Sequence, residues 1–290
     1  MRNRLVLLIS IFLACPVILS AQNLNTATID QILGHSGQKT GEVYRVGLPR
    51  TDLHVELAGI ALKAGFALGS WAAFSGTDAN AAVMGDLVLT EAEIGPVMTK
   101  LNATGFEVTA VHNHLLNETP HVMYMHYMGH GNAQKIAQSL RVALAQSKTP
   151  LTSAPPAQEP PAPPFVKTIE GILGTQGRWA GGVLAFGIPR REAITDHGMT
   201  LNGAQGVAEA INFQDTGQGN IATTGDFVLT GQEVNAVIST LEEHDIQITA
   251  LHNHMLDEQP RLFFMHFWGV GTPEAVSAGI KTALSKIAVK

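Results

Sequence analysis

The 290-residue chain has one cysteine, Cys15. That excludes an internal disulfide and any Cys-rich zinc module. Charge is also sparse, at 14% of residues, and it is not basic: Lys+Arg 18 against Asp+Glu 24 gives a net charge of -6. A general nucleic-acid binder needs a basic face, so nucleic acid drops out as a partner class. Beyond the first twenty residues no run is long and apolar enough to span a bilayer. There is no G-x-S-x-G, no P-loop and no G-x-G-x-x-G after a clear strand, so a serine nucleophile or a phosphate cradle has no support. Apolar residues are not scarce: 45% of the chain is hydrophobic, enough for a real core and too much for a disordered chain.

The first residues read as an address. Arg2 and Arg4 form a short basic start, Leu5 to Ser20 a nearly unbroken apolar run, and Leu19-Ser20-Ala21 a small-residue ending before Gln22. This pattern is a secretory signal with cleavage after Ala21. The product is then periplasmic or secreted. Phe12-Leu13-Ala14-Cys15 resembles a lipobox, but its first two residues are poor ones and it comes early in the run. A cleaved soluble form is therefore preferred to lipid anchoring at Cys15.

The remainder is written twice. Gly47-Leu48-Pro49-Arg50 recurs as Gly187-Ile188-Pro189-Arg190, and Gly85-Asp86-Leu87-Val88-Leu89-Thr90 as Gly225-Asp226-Phe227-Val228-Leu229-Thr230. His112-Asn113-His114 recurs as His252-Asn253-His254, and each pair is separated by 140 residues. That period is the length of a domain, not of a solenoid unit. Half of the 14 prolines fall between Pro150 and Pro164. Such sequence favours extended, unpacked chain. The expected organisation is a signal peptide (1–21), repeat domain 1 (22–146), a Pro-rich linker (147–166) and repeat domain 2 (167–290).

Each repeat shows the same element signals. Short helices end at Gly34 and Gly174. Strands are expected at Val43–Leu48 and Val183–Ile188, and at Met84–Leu89 before Thr90. Thr90-x-x-Glu93 and Thr230-x-x-Glu233 are capping boxes. The helices they start carry apolar residues at Ile94, Val97, Met98 and Leu101, and at Val234, Val237, Ile238 and Leu241. Pro96 should be tolerated only in a first turn. Further strands are expected at Phe106–His114 and His121–Met128, and at Ile246–His254 and Arg261–Trp268. The second of each pair is apolar on both faces, as a central strand should be. Last helices begin at Asn132 and Thr272. Two homologous α+β domains follow, each a mixed or antiparallel sheet packed with helices. They are able to pack as a pseudo-dimer within the chain.

The chemistry concentrates in one pattern, H-N-H-x-L-x-E-x-P-x-x-x-x-M-H-x-x-G-x-G, half of whose positions are identical between the copies. Residues two apart in a strand share a face, so His112 and His114 point the same way, with Val108 and Ala110. A hairpin centred on Thr119 would set His126 opposite His112. The candidate ligands are His112, His114, Glu118 and His126 in one repeat and His252, His254, Glu258 and His266 in the other. Three imidazoles and a carboxylate suit Zn, Fe, Mn or Ni better than Ca or Mg. Glu118 and Glu258 are candidate ligands or general bases toward metal-bound water. The alternative is a non-enzymatic periplasmic module for a small polar ligand or an envelope partner, with structural histidines. Asp86 and Asp226, each after Gly, read as turn residues. Arg50 and Arg190 read as local ion pairs with Asp52 and Glu192. The Met123, Met125 and Met128 stripe reads as core rather than as a copper site.

His-x-His-x3-Glu resembles the first metal motif of cupins, but the third His follows too soon and no second motif appears, so a jelly roll is not expected. An HNH nuclease spreads its letters along a ββα motif, and a duplicated domain of this size is no amidohydrolase barrel. In the pattern His252-Asn253-His254-Met255-Leu256, then Pro260-Arg261 and Met265-His266, the chain resembles the LppY/LpqO family, domain of unknown function 1259. The match runs through both repeats and most of the mature chain. The resemblance implies an exported bacterial protein, often a lipoprotein in that family, with one or two copies of the domain. It implies no particular activity.

Overall fold

A computed structural model describes residues 23–153, 158–159 and 161–290. The expected signal segment lies outside the described residues. Among the described residues no helix is long and apolar enough to cross a membrane.

The first repeat opens with α1 (Thr26–Leu33), capped by Asn25 and closed by Gly34 at φ 76°. Strands β1 (Gln38–Thr40) and β2 (Val43–Pro49) follow. A projecting arm then carries the short strands β3 (Glu56–Leu57) and β4 (Ile60–Ala61) and the single turn α2 (Ala64–Ala67). Next come β5 (Gly69–Gly76), β6 (Ala81–Thr90), α3 (Glu91–Ala103), β7 (Glu107–His112), β8 (Val122–Gly131) and α4 (Ala133–Leu144). Six of these strands, all but β3 and β4, form one antiparallel sheet in the order β1-β2-β5-β6-β8-β7.

The second repeat runs α5 (Phe165–Leu173), β9 (Arg178–Ala180), β10 (Val183–Pro189), β11 (Ile194–Asp196) and β12 (Met199–Leu201). It continues with a 3-10 turn (Gly203–Gln205), β13 (Ala208–Gly217), β14 (Asn220–Thr230), α6 (Val234–Glu242), β15 (Gln247–His252), β16 (Leu262–Gly271) and α7 (Pro273–Leu284). Its sheet has the same order, β9-β10-β13-β14-β16-β15.

Alternation along the strands sends one set of side chains to each face. On the outer face Val46, Leu48, Phe74, Leu87 and Met125 pack under helix residues such as Leu33, Val97, Leu101 and Leu140. The second repeat does the same with Leu184, Phe213, Phe227 and Phe267 under Ile169, Leu241 and Ile280. Met125 is therefore core, as its stripe suggested. The inner faces of the two sheets meet each other. Val88 and Tyr124 of the first repeat cluster with Val183, Ala222 and Trp268 of the second. Met84 of the first packs with Val228, Met255 and Phe264 of the second.

The arms lock this arrangement. Phe66, fully buried, packs edge-on against Trp268 of the other repeat at 6.1 Å. Asn212 and Gln214 donate to the Phe66 and Ala61 carbonyls. In return Arg45 Nη1 donates to Ala204 O at 2.7 Å. Removing a ring this well buried costs about 3–5 kcal/mol. Phe66→Ala should lower the urea unfolding free energy by that order, and an unchanged midpoint would refute the locking role.

Three local expectations are corrected. Pro96 lies in the second turn of α3, not the first; it and Ala92, whose carbonyl its ring deprives of the usual helical donor, are both exposed, so that group faces solvent rather than the core. The strand ends at His112, so Asn113 and His114 belong to the following turn. The register also slips between Val108 and Ala110, which leaves Val108 packed on the helix-side core and not on the His112 face. A bulge of this kind re-aims the residues after it.

Candidate functional site

The bulge and its copy between Ile248 and Ala250 lie where the two inner faces meet. Thr109 Oγ1 donates to the His254 carbonyl, and Thr249 Oγ1 to the His114 carbonyl, both at 2.5 Å. Asn113 Nδ2 donates to Thr249 O and Asn253 Nδ2 to Thr109 O, both at 2.9 Å. These bonds interchange under the 140-residue offset, so a pseudo-two-fold axis relates the repeats. The middle Asn of each H-N-H is thus a clamp between repeats. It also closes its own turn, through Leu115 O or Met255 O.

The clamp brings all six motif histidines into one cluster. His112 and His252 stack across the axis with ring centroids 3.5 Å apart. His114 lies against His266 at 3.6 Å, and His126 against His254 at 3.8 Å. Each motif histidine therefore has its nearest fellow histidine in the opposite repeat, while His114 and His254 also stack on Tyr124 and Phe264 of their own repeats. The hairpin centre is also displaced: His112 pairs with Tyr124, and His126 with Ala110 on one side and Asp86 on the other.

That last pairing supplies the carboxylates. Asp86 and Asp226 stand in the middle of β6 and β14, not in turns, directly opposite His126 and His266. His254 Nε2 comes within 3.1 Å of Asp226 Oδ2, and His114 Nε2 within 3.7 Å of Asp86 Oδ2. Glu118 and Glu258 are elsewhere. Glu118 accepts from Val122 N and pairs with His121 Nδ1 at 2.7 Å. Glu258 accepts from Leu262 N and faces Arg261. Both hold the start of the next strand, and neither is among the described groups of candidate ligand atoms.

Those groups are His112/His126/His252, His112/His114/His266 and Asp226/His252/His254, the ligand atoms of each lying within 4.8 Å of one another. The last two share no residue. His266 Nδ1 donates to Gly225 O at 2.7 Å and His112 Nδ1 to Asn113 O at 3.0 Å. With the proton on Nδ1, the lone pair sits on Nε2, the usual arrangement of a ligating imidazole. None of the six Nε2 atoms has a hydrogen-bond partner of good geometry, and Asp86 Oδ1 and Asp226 Oδ1 lack one too.

Burial sets the charge state. It pushes the pKa of His112 down to about 3 and lowers those of His114, His126, His252 and His266, and neighbouring histidines add to it. These imidazoles are neutral at pH 7. Burial and the nearby Asp226 push Asp86 up to about 8. Burial acts on Asp226 the same way, but His266 and His254 outweigh it and hold that carboxyl low.

Arg50 and Arg190 belong to the scaffold. Arg50 is fully buried and pairs with Asp52 and Glu93, each at 2.8 Å, while donating to Val88 O. Arg190 repeats this with Glu192, Glu233 and Val228 O. Each guanidinium ties the end of one strand to the capping box of α3 or its equivalent.

Fold and site define a duplicated α+β protein whose repeats share one imidazole–carboxylate cluster. Residues 27–146 and 167–286 each match the family described as Domain of Unknown Function (DUF1259), and the chain belongs to that family. No curated protein matches it. Among solved structures it is similar to the trimeric bacterial microcompartment shell protein PduB, at 10% identity and a TM-score of 0.23, over 87% of this chain and 90% of that one. EtuB from Clostridium kluyveri gives 9% identity and a TM-score of 0.21 over the same shares. Likeness at that level carries no argument.

Proposed function

We propose that this is an exported transition-metal-binding protein whose ions sit in the one cluster formed where the two repeats meet. One observation carries the reading: all six motif histidines belong to groups whose candidate ligand atoms lie within 4.8 Å of one another, and none of their Nε2 atoms has a hydrogen bond of good geometry. A buried polar atom with no partner costs about 1–3 kcal/mol, so a purely structural role would leave a heavy uncompensated cost. A cation removes it. His112, His114 and His266 would hold one ion and His252, His254 and Asp226 another. His126 and Asp86 stand ready to complete the sets. Imidazole with carboxylate fits Zn, Fe, Mn or Ni. An ion so held supplies Lewis acidity toward an oxygen ligand.

Elemental mass spectrometry of untagged protein should find about two ions per chain. His112→Ala with His252→Ala should remove both. A wild type that stays metal-free after exposure to Zn, Mn, Fe, Ni and Cu would sink the proposal. The export half rests on the apolar run Leu5 to Ser20. Sequencing the secreted product should read from Gln22, and an uncleaved cytosolic chain would contradict it.

A further inference from the structure

A cavity of about 580 Å³ opens beside the cluster, between the inner faces of the two sheets. That lies within the ordinary range for small-molecule sites. His114, His126, His254 and His266 stand in its wall with Asp86 and Asp226. Its other charged lining residues are two arginines, Arg45 and Arg178.

The two arginines reach the cavity by different routes. Arg45 lies on β2 and pairs across the sheet with Gln38. The corresponding pair in the second repeat is Ala185 on β10 with Arg178 on β9. Directly opposed residues of an antiparallel pair share a face. Each repeat therefore puts one arginine on the same two-residue patch, but on opposite strands of it. The position differs between the repeats, but each has one cation there. Among the described residues no carboxylate lies within ion-pair distance of either. Arg45 is held in place by Trp71, with Cζ 3.8 Å from the ring centroid, and by its bond to Ala204 O. Burial lowers its pKa to about 10, which leaves it a cation at neutral pH.

The strands also leave room. Gly47 on β2 and Gly187 on β10 are equivalent, both line the cavity, and a Cβ on either would meet nothing within 4 Å. We propose that this cavity binds a small organic oxyanion, its carboxylate or phosphoryl group held by Arg45 and Arg178 and presented to the ions of the cluster. The inference rests on the metal reading for its second half only. A guanidinium fork matches either oxyanion in bidentate fashion. Two divalent ions would more than neutralise the two aspartates, so the cavity would be positive throughout.

The test is calorimetric titration of the full mature chain, metal-loaded and metal-free, with citrate and with inorganic phosphate. Metal content is measured on the same samples. Arg45→Gln, Arg178→Gln and Gly187→Val are compared with the wild type. Arg178 is exposed and Gly187 opens on empty space, so these two variants should fold even if Arg45→Gln is compromised. Loaded wild type should bind one of the probes, and each variant should bind it about tenfold or more weakly with unchanged ion content. No binding by loaded wild type, or equal binding by Arg178→Gln and Gly187→Val, overturns the proposal. A wild type that takes up no metal disproves the parent reading alone. If that metal-free chain still binds a probe, and Arg178→Gln weakens it, the arginine pair stands without the ions. If it binds neither probe, the inference falls as well.

Discussion

Metal-free protein should lose much of its stability between pH 7 and pH 5. Five cluster histidines have pKa values pushed below the ordinary 6.5 by burial. Below 6.5 the unfolded chain takes up more protons on these residues than the folded chain does. Stability therefore falls as the pH drops, by at most about 1.4 kcal/mol per unit for each such histidine. Asp86 acts the other way: its folded pKa of about 8 lies above the ordinary 3.8, so acid favours the fold there. Within the cluster one group opposes five; outside it Glu209, raised by burial, and His197, raised by Asp196, also favour the fold in acid, so the net loss is on the order of a few kcal/mol, against a typical total of about 5–15. Bound metal should move the transition to lower pH, because protons must displace the ions first. Urea unfolding at stepped pH, with and without added zinc, measures both. A flat profile for the metal-free chain would show that the histidines are not buried as described.

Arg50→Ala should be the most damaging single substitution outside the cluster. It leaves Glu93, with 8% of its surface exposed, without its cation, and takes away a donor to Val88 O. Breaking one side of a buried pair costs about 3–5 kcal/mol. Arg50→Lys should recover only part, because an ammonium cannot bridge Asp52 and Glu93 as a fork does. Burial would raise the Glu93 carboxyl, but hydrogen bonds from Arg50, Thr90 N and Lys148 N hold it below its ordinary value. Its contribution is thus complete above the ordinary carboxylate pKa and is lost as acid titrates the folded carboxyl. Thermal unfolding of Arg50→Ala and Arg190→Ala checks the size, and a shift of a degree or less in both would count against the knot.

Much of the fold could be read from the chain because local signals and burial agree. The Gly34 and Gly174 stops, the Thr90 and Thr230 capping boxes and the two-sided apolar strand at Val122–Gly131 all act within a few residues. The cluster was only half legible. Its six histidines stood out by repetition, but their grouping depends on a contact between segments 140 residues apart. The carboxylates nearest the histidines are hidden from the sequence for the same reason. Spacing favoured Glu118, whereas Asp86 becomes a neighbour of His126 only once β6 lies beside β8. The clue present was a lone Asp inside an otherwise apolar run, Gly85 to Leu89, repeated at 140 residues. Thr109 gave no sign, because its reach to the other repeat depends on a bulge. The arginine exchange was invisible until strand register placed Arg178 beside Ala185.

The crossed pairing of the histidines bears on how such a molecule arises. One set draws on both repeats, His112 and His114 with His266, while the other, His252, His254 and Asp226, lies in the second repeat with His126 of the first stacked on it. A chain with a single repeat could close the shared set only by meeting an identical copy about a true two-fold axis. Fusion makes the encounter intramolecular, so assembly no longer depends on protein concentration. It also frees the halves from being identical. Asn212 stands where the first repeat has Ala72, and Ala185 where it has Arg45. A symmetric ancestor could not have made either change on one side alone, and a lopsided ligand needs that freedom.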